Sequence, residues 1–136
     1  MAQTVKTAEK RALRVVVAED DPQILTLVVG RLRKAGFEVH DASDGDEALR
    51  LVRDKLPDGV VLDVMMPGKS GWEVCRGIRE DESLSGVAVV MLTGIGERLN
   101  EMTSPLYGAD DYLDKPFDLA VLEKTLRSAI GRRRRV

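Results

Sequence analysis

Three short runs of this chain are apolar at every position: Val15-Val16-Val17, Gly59-Val60-Val61-Leu62 and Val87-Ala88-Val89-Val90-Met91-Leu92. A strand with one wet face alternates apolar and polar residues, whereas a strand without alternation must be covered on both sides. Such strands belong in a parallel sheet between two helical layers. Parallel neighbours cannot be joined by a tight hairpin, so the stretches between them have to be crossovers, usually helices.

The intervening segments read as helices. After a first strand over Arg14–Ala18, Asp21-Pro22 supplies a side-chain cap and a proline at the first helical position, and Ile24, Leu25, Val28 and Leu32 form a stripe that stops near Gly36. A second strand is expected over Phe37–Asp41, then a helix over Asp44–Lys55 with Ala48, Leu49 and Val52 inward. The third strand, Gly59–Leu62, leads to Ser70-Gly71-Trp72-Glu73, the pattern of a capping box, and to a helix carrying Val74, Cys75 and Ile78. The fourth strand is Val87–Leu92, and residues 97–107 are expected to be helical, with Pro105 obscuring where that helix ends. A fifth strand surrounds Tyr112, and Asp118 caps a last helix with Leu119, Leu122, Leu126 and Ile130 three or four apart. Five strand–helix units, (βα)5, imply an α/β fold: a doubly wound parallel sheet with right-handed crossovers.

At 136 residues there is room for one domain, expected over 13–131, with a loose tail at 1–12 and a basic tail or linker start at 132–136. A net charge of −2 gives no global pull toward nucleic acid or membrane, and the single cysteine, Cys75, cannot form an internal disulfide. The first residues lack the apolar core of a secretory signal, and no apolar run approaches the roughly 20 residues that span a bilayer. A soluble, cytoplasmic protein is expected.

The polar residues at strand ends carry the chemistry. Glu19 and Asp20 follow the first strand, Asp63 the third, Thr93 the fourth and Lys115 the fifth, so all fall at the carboxyl edge of the sheet, where open α/β folds bind ligands. Taken singly, each has a plainer role: Glu-Asp-Asp-Pro as a helix start, Asp63 as a turn residue, Lys115-Pro116 as a loop. Their joint placement favours a site. Three clustered carboxylates raise one another's pKa unless countered, and hard oxygen donors at this density suit Mg²⁺. Counting formal charges, the cation plus Lys115 cancels the three acids and leaves a place for an incoming phosphoryl group. An ionised aspartate can attack phosphorus without a base, while metal and lysine hold the equatorial oxygens, with Thr93 and the Gly94 N–H as further donors.

Four motifs in order resemble the receiver domain of bacterial two-component response regulators, over residues 13–131: Val16-Val17-Ala18-Glu19-Asp20-Asp21-Pro22, Pro57-Asp58-Gly59-Val60-Val61-Leu62-Asp63-Val64-Met65-Met66-Pro67-Gly68, Met91-Leu92-Thr93-Gly94, and Gly108-Ala109-Asp110-Asp111-Tyr112-Leu113-Asp114-Lys115-Pro116-Phe117. Thr93 lies 30 residues after Asp63, and Lys115 lies 22 after Thr93, the spacing of that family. The resemblance implies a flavodoxin-like strand order of 2-1-3-4-5. It makes Asp63 the phosphoacceptor, Glu19, Asp20, Asp63 and the Met65 backbone carbonyl the Mg²⁺ ligands, and Thr93, Gly94 and Lys115 the phosphate-binding groups. It also makes Thr93 and Tyr112 a switch pair and implies a cis Lys115–Pro116 bond. The chain is then a signalling domain whose only catalysis is its own phosphorylation and dephosphorylation, not an enzyme acting on other substrates. Its partners would be a sensor histidine kinase or phosphotransfer protein and a downstream output domain or target. The surface of the fourth helix, fifth strand and last helix would report the state. No membrane contact and no direct nucleic-acid binding by this domain are expected.

Other features have plain explanations. His40 is an incidental polar residue at the end of an edge strand, Cys75 core, Trp72 a packing residue, and Arg132–Arg135 a helix end favoured by the macrodipole. Rival readings fit less well. An aspartyl-nucleophile phosphatase resembles this fold but carries a second aspartate where Met65 stands, and needs a cap domain. A flavin or nucleotide carrier would meet three acids at its phosphate site. A partner-binding pseudo-receiver would not keep every site residue. Finally, the dimer common among receivers joined to winged-helix domains is not expected. Glu101 and Thr125 stand where that dimer uses arginines, and Pro105 where an apolar residue packs.

Overall fold

A computed structural model of the chain describes residues 11–94 and 108–134. The helix expected over 97–107, with Glu101 and Pro105, lies outside the described residues, as does the expected tail up to residue 10.

Five parallel strands, β1 (Arg14–Ala18), β2 (Glu38–Ala42), β3 (Gly59–Asp63), β4 (Ala88–Thr93) and β5 (Asp111–Asp114), form one sheet in the order β2-β1-β3-β4-β5. The fold is flavodoxin-like, as the sequence implied. The described helices are α1 (Pro22–Lys34), α2 (Gly45–Lys55), α3 (Gly71–Glu80), a 3₁₀ turn over Glu82–Leu84, and a C-terminal helix (Leu119–Arg134).

Side-chain parity along the strands divides the interior in two. Val16, Ala18, Val60, Leu62, Val89 and Met91 point to one face and pack with Ala48, Leu49 and Val52 of α2 and Val74, Cys75 and Ile78 of α3. Val15, Val17, Val61, Val90 and Leu92 point to the other, against Val28 and Leu32 of α1 and Leu122, Leu126 and Ile130 of the C-terminal helix. Successive strand residues face opposite ways, so wholly apolar runs are what a two-sided sheet requires.

The helix starts are fixed by the side chains the sequence placed there. Asp21 accepts from the Gln23 and Ile24 N–H groups with Pro22 in the first turn, and Asp44 accepts from the Glu47 N–H. Ser70 and Glu73 form a reciprocal capping box. Each cap supplies about 1 kcal/mol.

At the C-terminal end the helix runs through Arg134, so residues 132–134, read from sequence as a helix end or the start of a basic tail, take the helical alternative, and their arginines pair with acids outside the helix. Arg133 reaches Asp110 at 2.8 Å, Arg132 reaches Asp111 at 3.7 Å, and Arg134 reaches Asp58 at 3.5 Å. Among the described residues no helix is long and apolar enough to cross a membrane.

Candidate functional site at the carboxyl edge of the sheet

The strand order puts β1 and β3 side by side, with Ala18 opposite Leu62, so the acids after β1 meet Asp63 at the point where the winding reverses. Asp63 is the last residue of β3, not the first beyond it, and Thr93 likewise closes β4. The ladder therefore holds both backbones.

Glu19 is fully buried, whereas its neighbour Asp20 is exposed. The Glu19 N–H donates to the Ala42 carbonyl at 3.1 Å, and Oε2 accepts from the Asp21 N–H at 3.1 Å. Lys115 extends Nζ between two acids, 2.9 Å from Glu19 Oε1 and 3.0 Å from Asp63 Oδ1. The lysine is fixed in turn by its own N–H, which donates to the Thr93 carbonyl at 2.7 Å, and the Lys115–Pro116 bond is cis. Carboxylate oxygens of Glu19, Asp20 and Asp63 lie within 4.8 Å of one another. They line an open cleft of about 680 Å³ together with Asp21, Pro22, Gln23, Met65 and Lys115.

Electrostatics follow from this crowding. Burial, and then the Glu19 carboxylate, push Asp63 up to about 7, against the opposing pull of Lys115. The sequence marks Asp63 as an ordinary carboxylate at a strand end; its burial beside Glu19 makes the ionised form costlier, and Lys115 offsets part of that cost. Desolvation alone would lower the Lys115 amine, but its contacts with Glu19 and Asp63 outweigh that and raise it. The donor set is one that a hard divalent cation fits. It consists of oxygens alone, three carboxylates within 4.8 Å of one another with one lysine set between two of them, so negative charge remains for a cation to balance.

Behind Asp63 the chain turns tightly. The Gly71 N–H donates to the Val64 carbonyl at 2.8 Å, and a Cβ on Gly71 would fall 2.3 Å from the Asp63 carbonyl oxygen. Only glycine leaves room there for the α3 N-terminus to approach the strand end.

The switch residues expected from sequence are placed as follows. Thr93 is buried, and its hydroxyl is engaged across the sheet with β5, 2.9 Å from Asp114 Oδ1 and 3.3 Å from the Leu113 carbonyl. Gly94 follows it at the same edge. The half-buried Tyr112 ring packs with Trp72, centroids 6.2 Å apart at 50°, within the α2–α3 core. Asp114 was not singled out from sequence, because nothing local marks it. Its partner is 21 residues away and meets it only through the β4–β5 register, Thr93 opposite Asp114. His40 lies on β2 beside Glu38, 2.8 Å away, and Cys75 is buried, its thiol pushed up to about 12 by desolvation.

Fold and site together define a flavodoxin-like α/β domain with an acidic, lysine-bridged cleft at the switch point of its sheet. The chain matches the response regulator receiver domain over residues 15–127, and it belongs to that family, the receiver domains of two-component systems. It is similar to a probable transcriptional regulator, ycf27, of Guillardia theta, 40% identical over 119 residues, 88% of this chain and 46% of that protein. The chain spans about half the length of the curated relatives it matches. Among solved structures it is similar to a putative response regulator from Chloroflexus aurantiacus, at 30% identity with a TM-score of 0.82 over 88% of this chain and 98% of that one. It is also similar to the receiver domain of the sensor histidine kinase PA1611 from Pseudomonas aeruginosa, which has a magnesium ion coordinated in its active site cleft. Identity there is 29%, with a TM-score of 0.80 over 88% of this chain and 98% of that one.

Proposed function

We propose that Asp63 is the phosphoacceptor of a two-component phosphorelay and that its phosphorylation resets the surface of β5 and the C-terminal helix. The observation that carries this reading is the Lys115 ammonium held at 3.0 Å from Asp63 Oδ1 within a cluster of three carboxylates. A lone strand-end aspartate needs neither a lysine nor two further acids.

In the proposed step an Asp63 carboxylate oxygen attacks the phosphorus of a phosphohistidine on a sensor kinase or phosphotransfer protein. The new O–P bond forms as the N–P bond breaks, and the departing imidazole nitrogen keeps the electron pair and takes a proton. Lys115 offers its ammonium to a phosphoryl oxygen, and the Thr93 hydroxyl and Gly94 N–H donate to others. Glu19, Asp20, Asp63 and the Met65 carbonyl would hold Mg²⁺, which when bound lowers the repulsion among the carboxylates and neutralises charge on the phosphoryl oxygens. The group adds about −1.5 to −2 charges, enough to draw Thr93 toward it. Movement of Thr93 makes space for the Tyr112 ring and shifts a two-state equilibrium toward the form an output domain or target binds.

Incubation with Mg²⁺ and acetyl phosphate should add a single phosphoryl group to the wild-type domain and none to Asp63→Asn or to chelator-treated protein. Labelling that persists in Asp63→Asn, on His40 or a serine, would overturn the assignment.

A further inference from the structure

We infer that Asp114 is a positioning residue that holds the Thr93 hydroxyl in the resting state, competing with the phosphoryl group for its single hydrogen. This rests on the phosphoacceptor reading above and adds to it a residue that sets how readily the switch is thrown.

A threonine has one O–H to donate, so it serves one strong acceptor at a time. Thr93 is 2% exposed, and a buried hydroxyl without an acceptor is costly, so its hydrogen must go somewhere in every state. Among the described residues two acceptors lie in range, both on β5: Asp114 Oδ1 at 2.9 Å and the Leu113 carbonyl at 3.3 Å. The contact to Asp114 is the shorter, and a carboxylate oxygen is a stronger acceptor than a peptide carbonyl, so Asp114 is the principal acceptor. The strand register makes the pairing inevitable, because Thr93 and Asp114 are opposite each other at the ends of β4 and β5. A phosphoryl oxygen on Asp63 can gain the Thr93 hydrogen only if Asp114 gives it up. Asp114 also immediately precedes Lys115, so one short segment carries both the resting acceptor of Thr93 and the cation that meets Asp63.

Two consequences separate holding from mere charge. Asp114→Asn removes the negative charge but keeps an acceptor oxygen, whereas Asp114→Ala removes both. If Asp114 acts by holding Thr93, beryllofluoride with Mg²⁺ should bind Asp114→Ala about fivefold more tightly than Asp114→Asn, the worth of one ordinary hydrogen bond. In a Thr93→Val background the difference between the two substitutions should shrink.

The test combines that titration, followed by calorimetry, with a urea-unfolding cycle on the metal-free domain using Asp114→Ala, Thr93→Val and the double variant. The cycle should be non-additive by about fivefold in the unfolding constant. Additive effects, or equal tightening by Ala and Asn with Thr93 present, would overturn the role of Asp114. Wild-type protein that fails to bind beryllofluoride at all would instead overturn the phosphoacceptor reading, and the unfolding cycle would still decide the Thr93–Asp114 bond by itself.

Discussion

Asp63 and Asp20 are both carboxylates at strand ends, yet the structure gives them different physics. Asp63 is buried and lifted from 3.8 to about 7, so between those values the folded domain binds a proton that the unfolded chain releases. Stability from this group is therefore full at low pH and is lost as pH rises through 7, the opposite of a salt-bridged acid with a depressed pKa. Without divalent cation, the unfolding free energy of the wild-type domain from urea titration should fall between pH 5 and pH 8, no more steeply than about 1.4 kcal/mol per pH unit. Asp63→Asn should flatten that slope, and an unchanged slope would refute the assignment. Asp20 is exposed, whereas the two oxygens of Glu19 are already in contact with Lys115 and the Asp21 N–H. Asp20→Ala should accordingly weaken Mg²⁺ binding more than Glu19→Ala, by about tenfold or ~1.4 kcal/mol, measurable by calorimetric titration. The sequence made every acid of the cluster visible, because each stands at a strand end. It did not reveal which would be buried, since Glu19 and Asp20 are adjacent and chemically alike. That difference comes from tertiary packing, as does the Thr93–Asp114 pairing.

Elements were legible wherever a cap or an unbroken apolar run marked them. The capping box of α3 was readable from Ser70 and Glu73 alone, and Ser70→Ala should cost about 1 kcal/mol in unfolding free energy. Gly71 beside it was not legible as a constraint, because its neighbour is a strand end in another layer. Its missing Cβ would meet the Asp63 carbonyl at 2.3 Å and the Met91 methyl at 2.9 Å. Gly71→Ala should cost about 1–3 kcal/mol and slow labelling by acetyl phosphate, since relief requires Asp63 to shift. Wild-type stability and labelling in that variant would show that the turn yields elsewhere. The partners of the arginines at the end of the C-terminal helix were hidden for a related reason. Helix propensity and dipole explain arginines at its end, but the acids that hold it there come from before β3 and before and within β5.

Those same ion pairs bear on the behaviour of the whole molecule. Asp110 is gripped by Arg79 at 2.9 Å and Arg133 at 2.8 Å, and its Oδ2 also accepts the Val89 N–H at 2.8 Å. It is therefore engaged within its own chain. A symmetric dimer across β5 and the C-terminal helix would need charged pairs that the half-buried Thr125 does not provide, and Glu101 stands in the sequence where an arginine was expected for such a dimer. Unpaired charge at such an interface costs about 2–5 kcal/mol. Analytical ultracentrifugation with and without beryllofluoride should show no dimer across this face, and a beryllofluoride-induced dimer with Thr125 at its centre would refute the expectation. The parity of the strands has one more consequence, for anyone re-engineering the domain. Tyr112 and Trp72 share a compartment with α2 and α3, while α1 and the C-terminal helix close a separate one on the far side of the sheet. A substitution around Val17 and Leu32 is thus felt first by α1 and the C-terminal helix, and one around Val89 and Met91 by α2, α3 and the Tyr112 ring, with the sheet as the wall between them.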